Sequence, residues 1–499
     1  MTLIHTLLDQ ANGSHGQRIA IEDGDDHLTY QQLNSRSELT ANALEDLGIK
    51  EGDRVAILSP NCADYLVLQY AVSRLGAILE VLNTRNVTDE LIFAFNNAEA
   101  SCLFIHNDCI EHLQGLESCP SLRFSIGLNA VNKCSHNLNE LLKKTAAREL
   151  SFIISSDAPA VLMYTSGTTG RPKGAIQNQE NSVQADRITV KLLDLISTDR
   201  FLAFMPFFHQ AGLIRARAVL SQGATLVIPK NVSTDNIVDF LLEKRITVTM
   251  LVPPYSGQLI DQCEEKNISL PDLRMLIGGS SGKRFKEFCT KNKCQSMMVY
   301  GQTEVTGLIT AIFNEDAWER KGSVGKVVED MEMEIWDEEG NALKTGETGE
   351  IMAKSIRCVS GYWNNKEASE SLYTREWMHT GDLGKVDEDG FLYFMNRKKE
   401  LIKTGGENVY PIEVENVISV HPNVKDVIVM GMPDKTWGEM VVAVLVTKDK
   451  EEIIFENLKQ FCSEKLSGYK IPKQIYCIKE IPRNHTGKPN KIFLKKLFT

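Results

Sequence analysis

The sequence predicts an α/β protein with more than one domain. We expect a large N-terminal domain of βαβ-built sheets plus a small β-barrel-like subdomain, followed by a small mobile α+β C-terminal domain. Three observations predict this fold class. The chain has 499 residues, which is too long for one compact core. Short apolar runs alternate with helix-length amphipathic segments in its first part, and the charge changes sign near residue 397.

The alternating part is typical of parallel sheets that are covered on both faces. Amphipathic stretches with apolar spacing near 3.6 lie between its strands, for example over 30–47 and 234–244. Its strands are predicted at 54–58, 102–106, 160–164, 201–205, 224–229, 248–253, 273–277 and 297–300.

From about residue 320 the pattern changes to strands and turns. Strands are predicted at 333–336 and 349–353, and a DEDG turn predicts a hairpin over 386–394. We therefore assign 1–396 to the N-terminal domain, with the strand-rich subdomain at about 320–396, and 397–499 to the C-terminal domain, with a hinge at 397–399. The elements predicted in the C-terminal domain are helices at 412–420, 452–466 and 492–497 and strands at 426–430, 441–446 and 474–478.

The composition excludes several classes of protein. Hydrophobic residues make up 42% and charged residues 24%, close to globular averages, so the chain is not largely disordered. A net charge of −11 argues against a nucleic-acid partner. The eleven cysteines include no C-x-x-C pair, and we expect reduced, mostly buried thiols. No run reaches the roughly 18–20 apolar residues of a membrane helix and no secretory signal is evident, so we expect a soluble, cytoplasmic protein.

The first strong chemical signal is a Gly/Ser/Thr-rich segment that directly follows a predicted strand. Its glycines permit close approach of the backbone to a ligand, its hydroxyls offer donors for phosphate oxygens, and its lysine adds positive charge. It is not the Walker pattern, because no Ser or Thr follows the lysine. The composition favours phosphate binding over an ordinary polar turn. The segment reads Tyr164-Thr-Ser-Gly-Thr-Thr-Gly-Arg-Pro-Lys-Gly174.

Further motifs follow it in a fixed order. They are Phe204-Met-Pro-Phe-Phe-His209, Leu276-Ile-Gly-Gly-Ser-Ser281, Tyr300-Gly-Gln-Thr-Glu304, Ser360-Gly-Tyr-Trp363, His379-Thr-Gly-Asp382, Arg397-Lys-Lys-Glu-Leu-Ile-Lys-Thr-Gly-Gly-Glu-Asn408 and Thr486-Gly-Lys488. Over about residues 20–499, this series resembles the AMP-forming acyl-CoA synthetase superfamily, which includes firefly luciferase and the adenylation domains of peptide synthetases.

The resemblance implies a set of ATP- and AMP-binding residues. The aromatic ring of Tyr300 would pack on adenine, and Asp382 would hold the ribose hydroxyls. Thr303 would meet the α-phosphate, and Glu304 would help to hold Mg²⁺. The remaining nucleotide-binding residues that the resemblance implies are Thr165, Ser166, Gly167, Thr168, Thr169, Gly170, Lys173, Gly278, Gly279, Ser280, Gly301, Gln302 and Arg397.

The resemblance also implies residues for the acid and for the two reaction steps. Lys488 would be the catalytic lysine of adenylation, bridging the substrate carboxylate and the α-phosphate, beside the catalytic Thr303 and Glu304. Lys399 would be the hinge on which the C-terminal domain rotates. The acyl pocket would include His209, Gly212 and Gly279. The thioester-stage residues would be Lys403, Gly405, Gly406 and Glu407.

The implied reaction has two steps. A carboxylate attacks the α-phosphate of ATP, and the resulting acyl adenylate is attacked by a thiol. Such crowding of anionic oxygens calls for cations and hydrogen-bond donors rather than a nucleophilic side chain. The implied partners are a small carboxylic acid, ATP, Mg²⁺ and CoA as co-substrate, with no nucleic acid and no transmembrane segment. A homodimer and a carrier-protein thiol as acceptor are left open.

The identity of the acid is the least determined part of the function. A fatty acid is the first expectation, with an aryl or dicarboxylic acid as the alternative. Arg215 and Arg217 follow the His209 motif, about 200° apart on a helix, so they cannot both point into one pocket. Two surface arginines, solvated or salt-bridged, are the simpler interpretation. The alternative is that one of them holds a second polar or anionic group of the substrate.

Overall fold

The computed structural model describes residues 2–129, 133–150, 152–165, 172–230, 236–252, 255–278, 282–404, 407–448, 453–483 and 489–498, with the backbone alone at Glu315 and Lys399. Two compact units are present and are described one at a time. The first unit is Met1–Met333, Ala353–Met378 and Gly390–Leu392, and the second is Glu334–Met352, His379–Asp389 and Tyr393–Thr499.

The α-helices of the described residues are α1 (Ile4–His15), α2 (Tyr30–Asp46), α3 (Ala63–Leu75), α4 (Thr88–Ala98), α5 (Leu113–Leu116), α6 (Leu138–Lys144), α7 (Gln179–Leu193), α8 (Gln210–Ser221), α9 (Ile237–Glu243), α10 (Tyr255–Glu265), α11 (Lys283–Asn292), α12 (Asn314–Glu319), α13 (Lys366–Glu370), α14 (Pro411–Ser419), α15 (Phe455–Ser463) and α16 (Lys491–Phe498).

The strands are β1 (Ile19–Asp23), β2 (Asp26–Thr29), β3 (Arg54–Leu58), β4 (Ile78–Val81), β5 (Cys102–Ile105), β6 (Phe124–Gly127), β7 (His136–Asn137), β8 (Pro159–Thr165), β9 (Lys173–Asn178), β10 (Arg200–Leu202), β11 (Thr225–Ile228), β12 (Val248–Met250), β13 (Met275–Ile277), β14 (Gln295–Gln302), β15 (Gly307–Phe313), β16 (Ser323–Val327), β17 (Glu332–Trp336), β18 (Gly349–Lys354), β19 (Tyr373–Thr374), β20 (Trp377–Val386), β21 (Leu392–Arg397), β22 (Ile402–Thr404), β23 (Glu407–Val409), β24 (Val424–Asp434), β25 (Gly438–Thr447) and β26 (Gln474–Cys477).

The first unit contains a seven-stranded sheet in the order β7-β6-β5-β3-β4-β8-β9. Its pairs are parallel except the last, where β9 turns back antiparallel on β8. Strands β4 and β5 are buried at every position, because helices cover both faces of a parallel sheet. The predicted phosphate-binding segment therefore connects two paired strands at an edge of this sheet.

A second sheet of the first unit runs in the order β16-β15-β14-β13-β12-β10-β11-β1-β2. It is parallel from β14 to β1 and antiparallel at both ends. In an open parallel sheet, ligands bind outside the carboxyl ends of the strands. The residues that follow β13, and those at the end of β14, lie at such ends.

The strand-rich part and the C-terminal part form open sheets. Strands β17, β18, β20 and β21 are neighbours in that order, and the second unit also contains β23-β22-β25-β24 with β26 beside β25. The prediction of a small β-barrel-like subdomain is wrong, because these strands are part of an open sheet and no closed barrel occurs among the described residues. A small apolar core that includes Val414, Val429, Ala443 and Leu458 holds helices α14 and α15 on this second sheet. The predicted mixed α/β architecture is confirmed.

Some predicted boundaries differ from the observed ones for local reasons. The strand expected over 201–205 ends at Leu202, because the side chain of Asn61 takes over the backbone groups that follow. Its amide donates to the carbonyls of Ala203 and Met205, at 3.0 and 2.9 Å, and its oxygen accepts from the Phe207 N–H at 2.7 Å. This bonding replaces sheet pairing and shapes the approach to α8.

Most of the cysteines are packed in the core. All eleven cysteines are free, and eight of them are buried, as expected for reduced thiols packed in a core. In the part of the chain that the structure describes, no helix has both the length and the apolar character needed to cross a membrane.

Candidate active site

The ends of β8 and β9 place the first group of predicted ATP-binding residues. Thr165 pairs with Lys173 across the two strands, and the Thr165 hydroxyl is 3.5 Å from the Lys173 carbonyl oxygen. The Tyr164 hydroxyl donates to Asn97 Oδ1 at 2.8 Å and anchors the strand end to α4. Gly174 is required beside it, since a Cβ there would lie 3.0 Å from the tyrosine ring. The residues that flank the loop are thus held close together.

The Tyr300–Glu304 motif begins on β14 and ends in a one-turn 3₁₀-helix over Thr303–Val305. An irregularity in the pairing with β15 falls between Tyr300 and Gly301. A Cβ on Gly301 would lie 1.9 Å from the Gly307 carbonyl oxygen, so only glycine fits this close crossing. The motif is therefore a tight hairpin corner. It aims polar side chains away from the sheet edge.

Two polar groups of this corner are disposed to meet a ligand. Gln302 Nε2 is buried and has no hydrogen-bond partner among the described residues, and a buried donor of this kind is costly unless something binds it. Thr303 is half-buried on the 3₁₀-helix, and its backbone carbonyl accepts from the N–H of Thr306 at 3.0 Å. Thr306 has a left-handed φ of 45°.

Tyr362 connects the loop base to the hairpin corner. Its hydroxyl donates to Glu304 Oε1 at 2.9 Å, and its ring centroid lies 5.0 Å from Lys173 Nζ. The backbone adds a second tie, because the Val359 N–H donates to the Glu304 carbonyl at 2.9 Å. Lys173, Tyr362 and Glu304 therefore form one cluster, in which the cation lies over the face of the aromatic ring and the carboxylate accepts from its hydroxyl.

The Glu304 carboxylate suits the role of a Mg²⁺ ligand. Mg²⁺ is usually held by one or two carboxylates together with substrate phosphates and water. Glu304 is half-buried, and the hydrogen bond from Tyr362 goes to Oε1. Within the described ranges no group of three or more His, Cys, Asp or Glu side chains is arranged to hold a metal by itself. A cation here would thus share its ligands with the triphosphate.

Gly278 ends β13 beside the same sheet edge. Its φ of +90° lies in the region that favours glycine, and a Cβ there would lie 2.8 Å from the Leu251 carbonyl. Its N–H donates to the Met297 carbonyl of β14 at 2.9 Å. Gly278 and Tyr300 are therefore held on adjacent parallel strands, where the sequence places the adenine.

The predicted acyl pocket lies at the start of α8. His209 is the residue before the helix, and its ring lies against Phe208 with centroids 4.7 Å apart. Gly212 allows the helix to approach the preceding loop, since a Cβ there would lie 2.1 Å from the Pro206 carbonyl oxygen. A narrow pocket opens beside it, lined by Phe201, Ala203, Met205, Ala211, Gly212, Arg215 and Met250.

The interpretation of Arg215 and Arg217 as surface residues is wrong. Arg215 is 4% exposed and Arg217 is 1% exposed. Arg217 is buried because it makes a two-point ion pair with Asp186 of α7, with atoms 3.0–3.1 Å apart. Burial raises the pKa of Asp186 to about 6, against the opposing effect of Arg217. The two arginines do point to different places, as their helical spacing predicts.

The second unit contains the predicted ribose-binding residue. Asp382 lies on β20, is 1% exposed, and has Oδ1 2.9 Å from Nε of Arg397 on β21. Next to it, Glu350 accepts from Lys398 Nζ at 2.8 Å and from the Gly381 N–H at 3.1 Å. Burial opposes ionisation of Glu350, but Lys398 and His379 outweigh it and lower its pKa. The Asp382–Arg397 pair is thus fixed in a charged setting.

The predicted hinge and thioester-stage residues lie on adjoining short elements. Lys398–Glu400 form a 3₁₀-helix between β21 and β22. Lys403 and Glu407 are exposed on β22 and β23, a hairpin in which Thr404 pairs with Glu407. Farther along, Arg483 and Pro489 form a β-bridge, and Lys491 Nζ is 2.7 Å from Glu400 Oε2. The bridge holds together the two residues that flank the Lys488 segment.

Some predicted site residues lie outside the described residues. Other residues of the site are found only from the structure. Tyr362 lies in the Ser360–Trp363 motif, but the motif alone assigns it no role, and Glu350 is identified only by its contacts with Lys398 and Gly381. Asn61 has no motif, and only its side-chain bonds to the 203–207 loop reveal its role. The predicted site residues outside the described ranges are Ser166, Gly167, Thr168, Thr169, Gly170, Gly279, Ser280, Gly405, Gly406 and Lys488, together with the side chain of Lys399.

Comparison with known families gives two matches. Residues 8–363 match the AMP-binding enzyme family. Residues 413–488 match the AMP-binding enzyme C-terminal domain. The first match alone covers well over half of the chain and includes the Gly/Ser/Thr loop, the acyl-pocket helix and the Tyr300–Glu304 motif.

Individual relatives are similar over nearly their whole length. The chain is 31% identical to the long-chain-fatty-acid–CoA ligase FadD13 of Mycobacterium tuberculosis, covering 95% of this chain and 94% of that protein. It is 32% identical to the 2-succinylbenzoate–CoA ligase of Bacillus licheniformis, covering 94% and 95%. Its structure resembles the O-succinylbenzoate coenzyme A synthetase (MenE) of Bacillus subtilis with ATP and magnesium ion, at a TM-score of 0.86, 31% identity and coverage of 98% and 99%. The chain therefore belongs to the AMP-binding enzyme family and is an AMP-forming acid–thiol ligase.

Proposed function

We propose that this protein activates a small carboxylic acid with the residues placed above. The carboxylate oxygen attacks the α-phosphorus of ATP, the bond to the β-phosphate oxygen breaks, and pyrophosphate leaves. The CoA thiol then loses its proton, its sulfur bonds to the acyl carbon, and AMP leaves with the electron pair of the broken bond. The observation that carries the proposal is the Lys173–Tyr362–Glu304 cluster, which sets a cation, an aromatic ring and a carboxylate beside the hairpin corner.

The role of each residue follows from the charge that develops in the first step. Thr303, Lys173 and the hydroxyls of the loop at 165–169 bind phosphate oxygens and stabilise the crowded α-phosphate. Glu304 would hold Mg²⁺, which would neutralise the phosphate oxygens. Lys488 bridges the substrate carboxylate and the α-phosphate.

The nucleoside is bound by shape and by hydrogen bonds. The ring of Tyr300 stacks on adenine, and Gly278 allows the base to approach the backbone. The buried carboxylate of Asp382 accepts hydrogen bonds from two neighbouring ribose hydroxyls, a geometry that two oxygens on one carbon suit. Arg397 orients this carboxylate, since its Nε is 2.9 Å from Asp382 Oδ1.

The C-terminal domain serves both steps in this proposal. It begins at residue 397 and rotates about Lys399 after adenylation, which withdraws Lys488 and brings the Lys403–Glu407 hairpin to the thiol. The short 3₁₀-helix at Lys398–Glu400 suits a hinge, because a few residues at the end of an element can absorb a large change of φ and ψ.

The thiol acceptor is proposed to be CoA, with a carrier protein as the alternative. For the acid, the sequence favours a fatty chain, and an aryl or dicarboxylic acid is the alternative. FadD13 is named for a long-chain fatty acid and the Bacillus enzymes for succinylbenzoate, so relatives of equal similarity support both choices.

The test is ATP–pyrophosphate exchange with a panel of fatty, aryl and dicarboxylic acids, followed by thioester formation. We expect at least one acid to support exchange that requires Mg²⁺, and we expect the same acid to yield an acyl-CoA. Thioester formed on a pantetheinylated carrier protein but not on CoA would contradict the proposed acceptor. Failure of every acid to support exchange would contradict the proposed activity.

A further inference from the structure

Arg215 is a buried cation without an anionic partner in the part of the chain that the structure describes. Its Nη1 donates to the Ala211 carbonyl at 2.9 Å, and its Nε has no hydrogen-bond partner among the described residues. Arg217, two residues away, has the buried partner that such a group normally requires. Burying a guanidinium without a carboxylate is costly, so the chain bears a cost here that folding alone does not explain.

The surroundings of Arg215 point to a ligand of defined chemistry. Burial lowers its pKa to about 10, and no charged neighbour contributes to that change. The other side chains that line the pocket are apolar, and the pocket is too narrow to admit water in this structure. A guanidinium binds a planar carboxylate through two parallel hydrogen bonds, and a carboxylate is a group that the acid substrate itself can carry.

The position of Arg215 relates this pocket to the site of adenylation. Arg215 is three residues after Gly212, so both lie on the same face of α8, and its bond to the Ala211 carbonyl directs the guanidinium toward the start of the helix. The adjacent residue, Ile214, packs on the first residue of β15, with Cδ1 3.2 Å from the position of a Cβ on Gly307. Gly307 directly follows the corner that carries Thr303 and Glu304.

We infer that Arg215 is a specificity-determining residue that binds a second carboxylate of the acid substrate, which makes this enzyme a ligase for dicarboxylic acids with a short apolar body. The inference rests on the proposed function and selects the dicarboxylic acid, given there as the alternative, over the fatty acid that the sequence ranks first. The flexible side chains Met205 and Met250 in the pocket wall allow the narrow space to widen around such a substrate. One carboxylate is activated by ATP, and the other neutralises the buried guanidinium.

The experiment compares acids that differ only in the second carboxylate. We measure kcat/KM in ATP–pyrophosphate exchange for pairs such as hexanoate with adipate and benzoate with each phthalate isomer, over mono- and dicarboxylic acids of four to eight carbons. The wild-type enzyme is expected to prefer the best diacid over its matched monoacid by about 100-fold, since a buried polar group rejects a substrate that leaves it unpaired.

The variant Arg215→Met supplies the decisive comparison. It is expected to lose about 100-fold on the diacid and to gain activity on the matched monoacid, a gain that misfolding cannot produce. Arg215→Lys should keep an intermediate preference. The exposed Arg245, which pairs with Asp272, supplies the control Arg245→Met, which should leave the ratio unchanged.

Two results would overturn the inference, and both differ from failure of the proposed function. If the enzyme supports exchange with monoacids and prefers no diacid, the proposed binding of a second carboxylate is contradicted, whereas the ligase activity is not. If Arg215→Met leaves the ratio of kcat/KM for the diacid to that for the matched monoacid unchanged, Arg215 does not bind the second carboxylate. Absence of exchange with every acid would instead count against the adenylation activity itself.

Discussion

At the scale of a single residue, Tyr362 holds the Glu304 carboxylate, which we propose binds Mg²⁺, by a hydrogen bond to Oε1. Replacing it with phenylalanine removes the hydrogen bond to Glu304 but keeps the ring beside Lys173. A hydrogen bond to a charged group contributes about 1.5–3 kcal/mol, so we expect Tyr362→Phe to slow adenylation by about 10-fold. We also expect half-maximal pyrophosphate exchange to require more Mg²⁺. Titrating Mg²⁺ in the exchange assay measures both effects.

A second tyrosine provides the matched control for that substitution. The Tyr373 hydroxyl donates to the Val359 carbonyl at 2.5 Å and makes no bond to Glu304. Tyr373→Phe should therefore lower stability without changing the Mg²⁺ dependence. The same Mg²⁺ curve for Tyr362→Phe and the wild type would contradict the role assigned to Tyr362.

Single residues also show the limit of sequence-based prediction. The helical spacing of Arg215 and Arg217 correctly indicates that they point to different places, because the period of a helix is a local property. Burial is not local, and it decides their roles. Asp186 lies 31 positions from Arg217, and a single sequence carries no signal that pairs them.

At the scale of elements, apolar runs that fill a covered sheet could be predicted closely. The strand predicted at 54–58 is observed at those positions as β3. Prediction fails where a side chain takes the hydrogen bonds that the backbone would otherwise make to a neighbouring strand, as Asn61 does after Leu202. The residues of the candidate site divide in the same way, into those that sequence motifs predict and those that only the structure reveals. Motifs with fixed spacing locate the loop and the corner, whereas Tyr362 and Asn61 act through contacts that bring distant segments together.

Helix α8 supplies a test of packing at the element scale. Gly212→Ala would place a methyl group 2.1 Å from the Pro206 carbonyl oxygen, so the helix must shift away from the 205–206 loop. Overpacking of this kind costs about 1–3 kcal/mol. We expect a lower Tm and a higher KM for the acid, measured by thermal unfolding and by exchange kinetics.

Gly257 on α10 is the matched control for that change. A Cβ there meets nothing within 4 Å, and alanine is favoured over glycine in a helix by about 0.5–1 kcal/mol. Gly257→Ala should therefore raise the Tm slightly and leave the KM unaltered. An acid KM for Gly212→Ala equal to that of the wild type would show that the start of α8 does not shape the pocket.

At the scale of the whole molecule, charge is divided unequally along the chain. From Lys398 onward there are 17 basic and 13 acidic residues, a net charge of +4, against 38 and 53 before it, a net charge of −15. ATP and CoA are both polyanions. In the proposed mechanism a positive C-terminal domain would be attracted to each of them in turn, which gives an electrostatic reason to propose that this domain moves.

The proposed movement of the C-terminal domain predicts that Lys488 is needed for acyl-adenylate formation and not for thioester formation. Lys488→Ala removes the cation that we propose bridges the substrate carboxylate and the α-phosphate, so acyl-adenylate formation should fall by about 100-fold or more. Thioester formation from a chemically prepared acyl adenylate and CoA should remain near the wild-type rate, because the proposed rotation withdraws Lys488 for that step. The two half-reactions are measured separately, by pyrophosphate exchange and by release of AMP. Equal loss of both would mean that Lys488 supports the fold or the whole site, and that the C-terminal domain does not alternate between two functions.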